Sequence, residues 1–155
     1  AEPEVAFRMK TALSGKVTKE QALAAIDAIA PAIEVIDSRY RNFTFSLEDV
    51  IADNCSSSGF VIGSWQPKDT NIDGLTIHLQ VNGEVVASGS SNDILDHPLN
   101  ALVEAARCIS EAGEELKAGQ IILAGAATAA VALAPNQTIS ADVTGLGSCA
   151  FKTKG

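Results

Sequence analysis

Asn82-Gly83 stands between two runs of strand-forming residues, Leu75-Thr-Ile-His-Leu-Gln-Val81 and Glu84-Val-Val-Ala-Ser88. A tight two-residue hairpin needs positive φ at both turn positions, which Asn and Gly adopt at least cost. The dipeptide therefore commits the middle of the chain to an antiparallel hairpin and excludes an all-helical fold. Residues 138–143 and 148–152 flank Gly145-Leu-Gly147 and form a second, closing pair. Further strands are expected at 2–9, at Ile33-Glu-Val-Ile36, at Phe60-Val-Ile-Gly63 and, as a buried strand, at 120–125. Pro3 does not oppose the first of these, since proline is tolerated at a strand's start.

Two helices interrupt the strands. Thr18-Lys-Glu-Gln21 is a capping box, and it opens a helix over 18–30 carrying Ala22, Leu23, Ile26 and Ile29, which Pro31 ends. Pro98 begins an amphipathic helix over 97–112, with Leu99, Leu102, Val103, Ala106 and Ile109 at helical spacing and Gly113 as its C-cap. Ser46 caps a short turn containing Asp49 and Val50, between a polar–aromatic connector at 39–45 and a small-residue loop at 53–59. The expected class is α+β, strand-rich, with two main helices. The 155 residues, 46% hydrophobic, suit one domain with a real core.

The net charge of −8 excludes the basic footprint that nucleic acid requires. An anionic ligand would need a local positive charge, which a metal ion can supply. Cys55, Cys108 and Cys149 are odd in number and lack zinc-site spacing, which fits a reducing, cytoplasmic setting. No apolar run approaches membrane-spanning length, so no membrane partner is expected. The chain opens Ala-Glu-Pro-Glu without an initiator Met, as expected of a processed or cut piece of something longer.

The residues that carry chemistry are acids. Glu2 and Glu4 are two apart on a strand and so share a face. Two adjacent carboxylates repel unless a cation sits between them. Glu34 lies in the apolar run Ile33-Glu-Val-Ile36, where a charge must be paired, neutralised or bound to metal. Three carboxylates make an all-oxygen site that suits Mg²⁺ or Mn²⁺ rather than Zn²⁺. A solvated strand edge is the alternative for Glu2 and Glu4, and an ion pair with Arg39 or Arg41 the alternative for Glu34. Asp37 and Arg39 follow directly and would either orient the Glu34 carboxylate or form a surface pair. Asp53 and Asn54, with Ser56, Ser57 and Ser58, could line a pocket or simply form a loop. His78 is expected to be structural and His97 to cap a helix. There is no Ser/His/Asp or Cys/His pattern, and no helix follows Gly145-Leu-Gly147 to make it a phosphate loop.

Glu2-Pro-Glu-Val-Ala-Phe7, Pro31-Ala-Ile-Glu-Val-Ile-Asp-Ser-Arg39 and Val50-Ile-Ala-Asp-Asn-Cys-Ser-Ser57 resemble the hydratase/decarboxylase family of catechol meta-cleavage pathways, within the fumarylacetoacetate hydrolase superfamily. Lys117-Ala-Gly-Gln-Ile-Ile-Leu-Ala-Gly125 and Gly145-Leu-Gly147 extend the resemblance almost end to end. It implies the superfamily's C-terminal mixed β roll, with Glu2, Glu4 and Glu34 as ligands of Mg²⁺ or Mn²⁺. It also places Ser56 and Ser57 near a small 2-oxo acid. The family's N-terminal portion, with its lysine and acid, has no counterpart in this chain. Relatives carry Thr-Gly where Ala124-Gly125 stands, which leaves Thr128 as the substrate-binding hydroxyl.

Asp37-Ser-Arg-Tyr-Arg-Asn-Phe-Thr-Phe45 looks more like the family's decarboxylases, because hydratases tend to carry tryptophan where Phe43 stands. The expected reaction is metal-dependent decarboxylation of 2-oxo-3-hexenedioate (4-oxalocrotonate) to 2-hydroxypentadienoate in aromatic catabolism. Hydration of 2-hydroxypentadienoate is the alternative, and a non-catalytic metal-binding or partner subunit the second alternative. A homo-oligomer, or a complex with the partner hydratase or decarboxylase, is the expected assembly.

Overall fold

The computed structural model describes residues 1–155. Strand β1 (Glu2–Met9) is followed by helix α1 (Lys19–Ala25), β2 (Ile26–Ile36), α2 (Leu47–Ala52), β3 (Ser57–Ile62) and the short β4 (Gln66–Pro67). The hairpin β5 (Thr76–Val81) and β6 (Glu84–Ser90) precedes α3 (Pro98–Glu111), β7 (Ile121–Leu123), β8 (Thr138–Val143) and β9 (Gly147–Lys152). One sheet has the order β3-β2-β1-β7, with β4 also pairing β2, and the other has the order β6-β5-β8-β9. Every ladder is antiparallel, and the two sheets with their helices make the strand-rich α+β roll expected. No helix is long and apolar enough to cross a membrane.

The hairpin forms where Asn82 and Gly83 require it, at φ 52° and 86°. The closing pair β8–β9 and helix α3 also match the expectation. His97 caps α3 by accepting the Leu99 N–H at 3.1 Å on Nδ1, and Pro98 occupies the first turn, where its missing N–H costs nothing. Gly113 ends the helix at φ +76°.

The first helix is shorter than expected. The capping box at Thr18 and Gln21 is present, but the helix ends at Ala25, whose carbonyl accepts the N–H groups of Lys10 and Thr11. From Ile26 the backbone is extended, and Ile26, Ile29, Pro31 and Ile33 belong to β2. This strand is buried on both faces, and an apolar run without alternation cannot be told from a helix by periodicity. Pro31 therefore sits inside a strand. Its carbonyl accepts the Gly63 N–H at 2.8 Å, so its backbone faces the side where β3 gives way to β4. The missing N–H falls in that gap, where no ladder bond is needed.

The segment expected as a buried strand at 120–125 is the three-residue edge strand β7, with Ile121 exposed and Ile122 and Leu123 half-buried. Beyond it the chain keeps to β1 irregularly. Ala124 N–H donates to the Val5 carbonyl, Ala127 to Pro3 and Val131 to Ala1. Two steps on β1 match three on the partner between Ala124 and Ala127, a bulge that leaves one residue outside the ladder.

The sheet's two faces differ sharply. Val5, Phe7 and Met9 of β1, with Ile26 and Ile29 of β2, pack against Leu99, Leu102 and Ala106 of α3 and against Ile77 and Val143 of the second sheet. A smaller cluster joins Ile33 to Leu79, Ile139, Ala141 and Cys149. The opposite face carries Glu2, Glu4, Ala6 and Arg8 of β1 and Ala28, Ala30, Ala32 and Glu34 of β2.

The join between the sheets allows no side chain at Gly63. A Cβ there would meet the Ser148 carbonyl oxygen at 2.6 Å and Pro31 Cγ at 2.7 Å. Gly63→Ala should therefore cost about 1–3 kcal/mol through overpacking, read as a lower urea midpoint with an unchanged slope.

Candidate metal centre

The β1–β2 register sets Glu2 directly opposite Glu34, with Glu4 two residues along β1 and opposite Ala32. Directly opposed residues project to the same face, and so do residues two apart on a strand. The three glutamates converge, one carboxylate oxygen from each lying within 4.8 Å of the others. Glu4 is 1% exposed, whereas Glu2 and Glu34 are half-buried. The cluster lies on a sheet face, outside the protein's three cavities.

No cationic side chain compensates these acids. The ion pairs of the chain join Arg8 to Asp27, Arg39 to Asp53, and Arg107 to Glu104 and Glu111. Neither Arg39 nor Arg41 reaches Glu34. Burial pushes the Glu4 carboxyl up to about 8; the Gly125 N–H, donating to Oε2 at 2.6 Å, opposes this, and the charges of Glu34 and Glu2 add to it. Burial, and then the charge of Glu34, also raise Glu2. Such a cluster is relieved in two ways, by taking up protons or by holding a cation. All the donors are carboxylate oxygens, the chemistry of a hard divalent ion.

Gly125 is a site residue that the sequence pattern does not single out. It lies in the bulge between Ala124 and Ala127 at φ +105°, so its N–H is free of the ladder and turns to Glu4. The glycine in Leu123-Ala-Gly-Ala-Ala is the available signal, because that φ favours glycine. The bulge is seated on the second sheet. A Cβ on Gly89 of β6 would collide with the Ala127 carbonyl and lie 3.1 Å from Thr128 Cγ2.

The remaining candidate residues lie in and beside the β2–β3 connection. Arg39, expected with Asp37 to orient Glu34, serves Asp53 instead. Its guanidinium reaches Asp53 Oδ1 at 2.9 Å, and its N–H donates to Oδ2 at 3.3 Å. Ser56 Oγ also donates to Oδ2, at 3.3 Å, and the Asp37 N–H donates to the Ser56 carbonyl at 2.8 Å. Asp53, 6% exposed, thus clasps the connection shut, while the Asp37 side chain is exposed. Ser56 is buried, with its hydroxyl bonded to Asp53, and Ser57 is exposed at the start of β3. Asn54 is exposed at φ 52°, a turn residue. Thr128 spends its hydroxyl on the Ala129 carbonyl at 3.1 Å.

The buried Glu4 has a consequence for stability. Its folded pKa, about 8, lies above its ordinary 4.5, so the folded chain holds a proton that the unfolded chain releases. Stability of chelator-treated protein should therefore be full below about 4.5 and fall as pH rises toward 8. Urea titrations across this range should show that slope, and Glu4→Gln should flatten it.

Known proteins resemble this chain over most of its length. The chain is 52% identical over 154 residues to a 4-oxalocrotonate decarboxylase of a Pseudomonas species, covering 99% of this chain and 60% of that protein. It is 35% identical over 133 residues to a 2-keto-4-pentenoate hydratase of Paraburkholderia xenovorans, covering 84% of this chain and 49% of that one. Among solved structures it superposes on 4-oxalocrotonate decarboxylase from Pseudomonas putida G7, complexed with magnesium and adipate. The TM-score is 0.93 at 37% identity, covering 98% of this chain and 59% of that chain. The chain thus spans at most about 60% of the length of these relatives. The profile of the fumarylacetoacetate (FAA) hydrolase C-terminal region matches residues 1–153, and the chain belongs to that family.

Proposed function

We propose that this chain is the metal-binding catalytic domain of a lyase that decarboxylates 2-oxo-3-hexenedioate (4-oxalocrotonate), with Glu2, Glu4 and Glu34 holding Mg²⁺ or Mn²⁺. The observation that carries this reading is the trio of carboxylates within 4.8 Å, uncompensated by any cationic side chain, around a buried Glu4. Bound there, a divalent ion supplies a Lewis acid for the keto and carboxylate oxygens of a 2-oxo acid. Gly125 fixes one Glu4 oxygen and so the direction of the carboxylate. Asp53, gripped by Arg39 and Ser56, holds the start of β3 and with it Ser57, whose exposed hydroxyl is the substrate donor of the pair. Ser56 is a positioning residue.

The decarboxylase reading is favoured over hydration by 52% identity to a decarboxylase against 35% to a hydratase. The hydratase likeness keeps 2-hydroxypentadienoate hydration as the second reading. Three free cysteines suit a cytoplasmic setting. A homo-oligomer or a mixed assembly with the partner enzyme is the expected working form.

Metal should stabilise the fold by linkage, because the unfolded chain has no assembled site. At a hundredfold excess over Kd this amounts to about 2.7 kcal/mol, or roughly 5–10 °C in Tm for a chain of this size. Mn²⁺ should produce that shift in the parent and little of it in Glu34→Gln. An equal shift in both would remove Glu34 from the site. Ser57→Ala should weaken binding of a 2-oxo acid while the metal-induced shift persists. Rates on the two substrates, measured on one preparation, decide the reaction. A clear preference for hydration would put the hydratase reading first.

A further inference from the structure

The register of the first sheet arranges the cluster as a grid. Phe60 of β3 lies directly opposite Glu34, which lies opposite Glu2; two residues along β3, Ile62 lies opposite Ala32, which lies opposite Glu4. Directly opposed residues carry Cβ atoms about 5 Å apart on one face. Phe60 therefore stands beside Glu34 on the same face, and Ile62 diagonally beside it. The cluster has unlike flanks as a result. On the β1 side stands the backbone N–H of Gly125, and on the β3 side stand two large apolar side chains.

Phe60 is 54% exposed and contributes to neither hydrophobic core. Lone exposed apolar side chains are common on surfaces, but this one has a definite position, one strand away from an ion-binding acid. Ala32, between Ile62 and Glu4, offers only a methyl group, so the row is low between its two ends.

We propose that Phe60, with Ile62 beside it, forms the specificity-determining wall of the site, against which the carbon chain of a 2-oxo acid lies while its oxygens are held at the carboxylate cluster. The inference rests on the function proposed for that cluster. Such an acid is polar at one end and apolar along its carbon chain. Directed over β3, that chain leaves water for Phe60 and Ile62; directed toward β7, it meets the exposed Gly125 and backbone polar groups.

Calorimetric titration of Mn²⁺-loaded protein tests this with two probes: oxalate, which has the chelating oxygens and no carbon chain, and 2-oxopentanoate, which has both. The parent should bind each. Phe60→Ala should weaken 2-oxopentanoate about 5- to 10-fold, from lost apolar burial, and change oxalate less than about 2-fold on the same scale. Phe60→Leu, which keeps an apolar branch, should recover part of the loss and serves if the alanine variant folds poorly. Unchanged affinity for both probes, or an equal loss for both, would overturn the proposal, the second because it would make Phe60 a support of the acids rather than a wall. If the parent binds neither probe in the presence of Mn²⁺, the proposed function itself fails and this inference falls with it.

Discussion

The pairing of β1 with β2 is the constraint on which the rest depends. A strand alternates its side chains between faces, so the register that sets Pro3 against Ile33 and Phe7 against Ile29 in the core also sets Glu2 against Glu34 outside it. A slip of one residue would drive the acids into the apolar interior and turn Val5 and Phe7 outward. The hydrophobic effect thus assembles the charged site without any attraction among the charges themselves. The core holds three repelling groups at positions they would not choose, at a cost in stability that protons or a bound cation would relieve.

Around that pairing, each neighbour meets the glutamates with its own chemistry. The β7 side supplies a peptide N–H, because one residue too many in the bulge frees Gly125 from the ladder. The β3 side supplies Phe60 and Ile62, because β3 pairs with β2 in register with the acids. The connection between β2 and β3 departs from the sheet for about twenty residues and returns, its ends held together by Asp53, Arg39 and Ser56. A buried carboxylate that accepts three donors is well placed for such a clasp, since neither loop end has a ladder to hold it.

Much of this is legible in the amino-acid sequence, for definite reasons. Asn82-Gly83 has few alternatives to its turn, Pro98 and Gly113 bound a helix with a single apolar stripe, and Glu-x-Glu on a strand can only share a face. The family motifs around Glu34 and Ser56 are also visible in the chain. The stretch after Ala25 misleads because a strand buried on both faces loses the alternation that would identify it, and because Pro31 reads as a helix terminator until its neighbours across the sheet are known. The partner of Arg39 is Asp53, fourteen residues further on, and local spacing does not specify which acid the folded connection brings back to it. Phe60 carries no signal, since its meaning lies entirely in the register of β3 against Glu34.

Gly89 and the bulge it admits tie the two sheets together in an unexpected way. The backbone that aims Gly125 at Glu4 rests on the edge strand of the other sheet, where only a residue without a side chain leaves room for the Ala127 carbonyl. The hairpin built on Asn82-Gly83 therefore behaves as a spacer for the acidic cluster, although it contributes no ligand to it. A shift of the second sheet at this contact would displace the bulge that carries the Gly125 N–H. In a lineage of such chains, the hairpin edge and the alanine-rich bulge should change together or not at all.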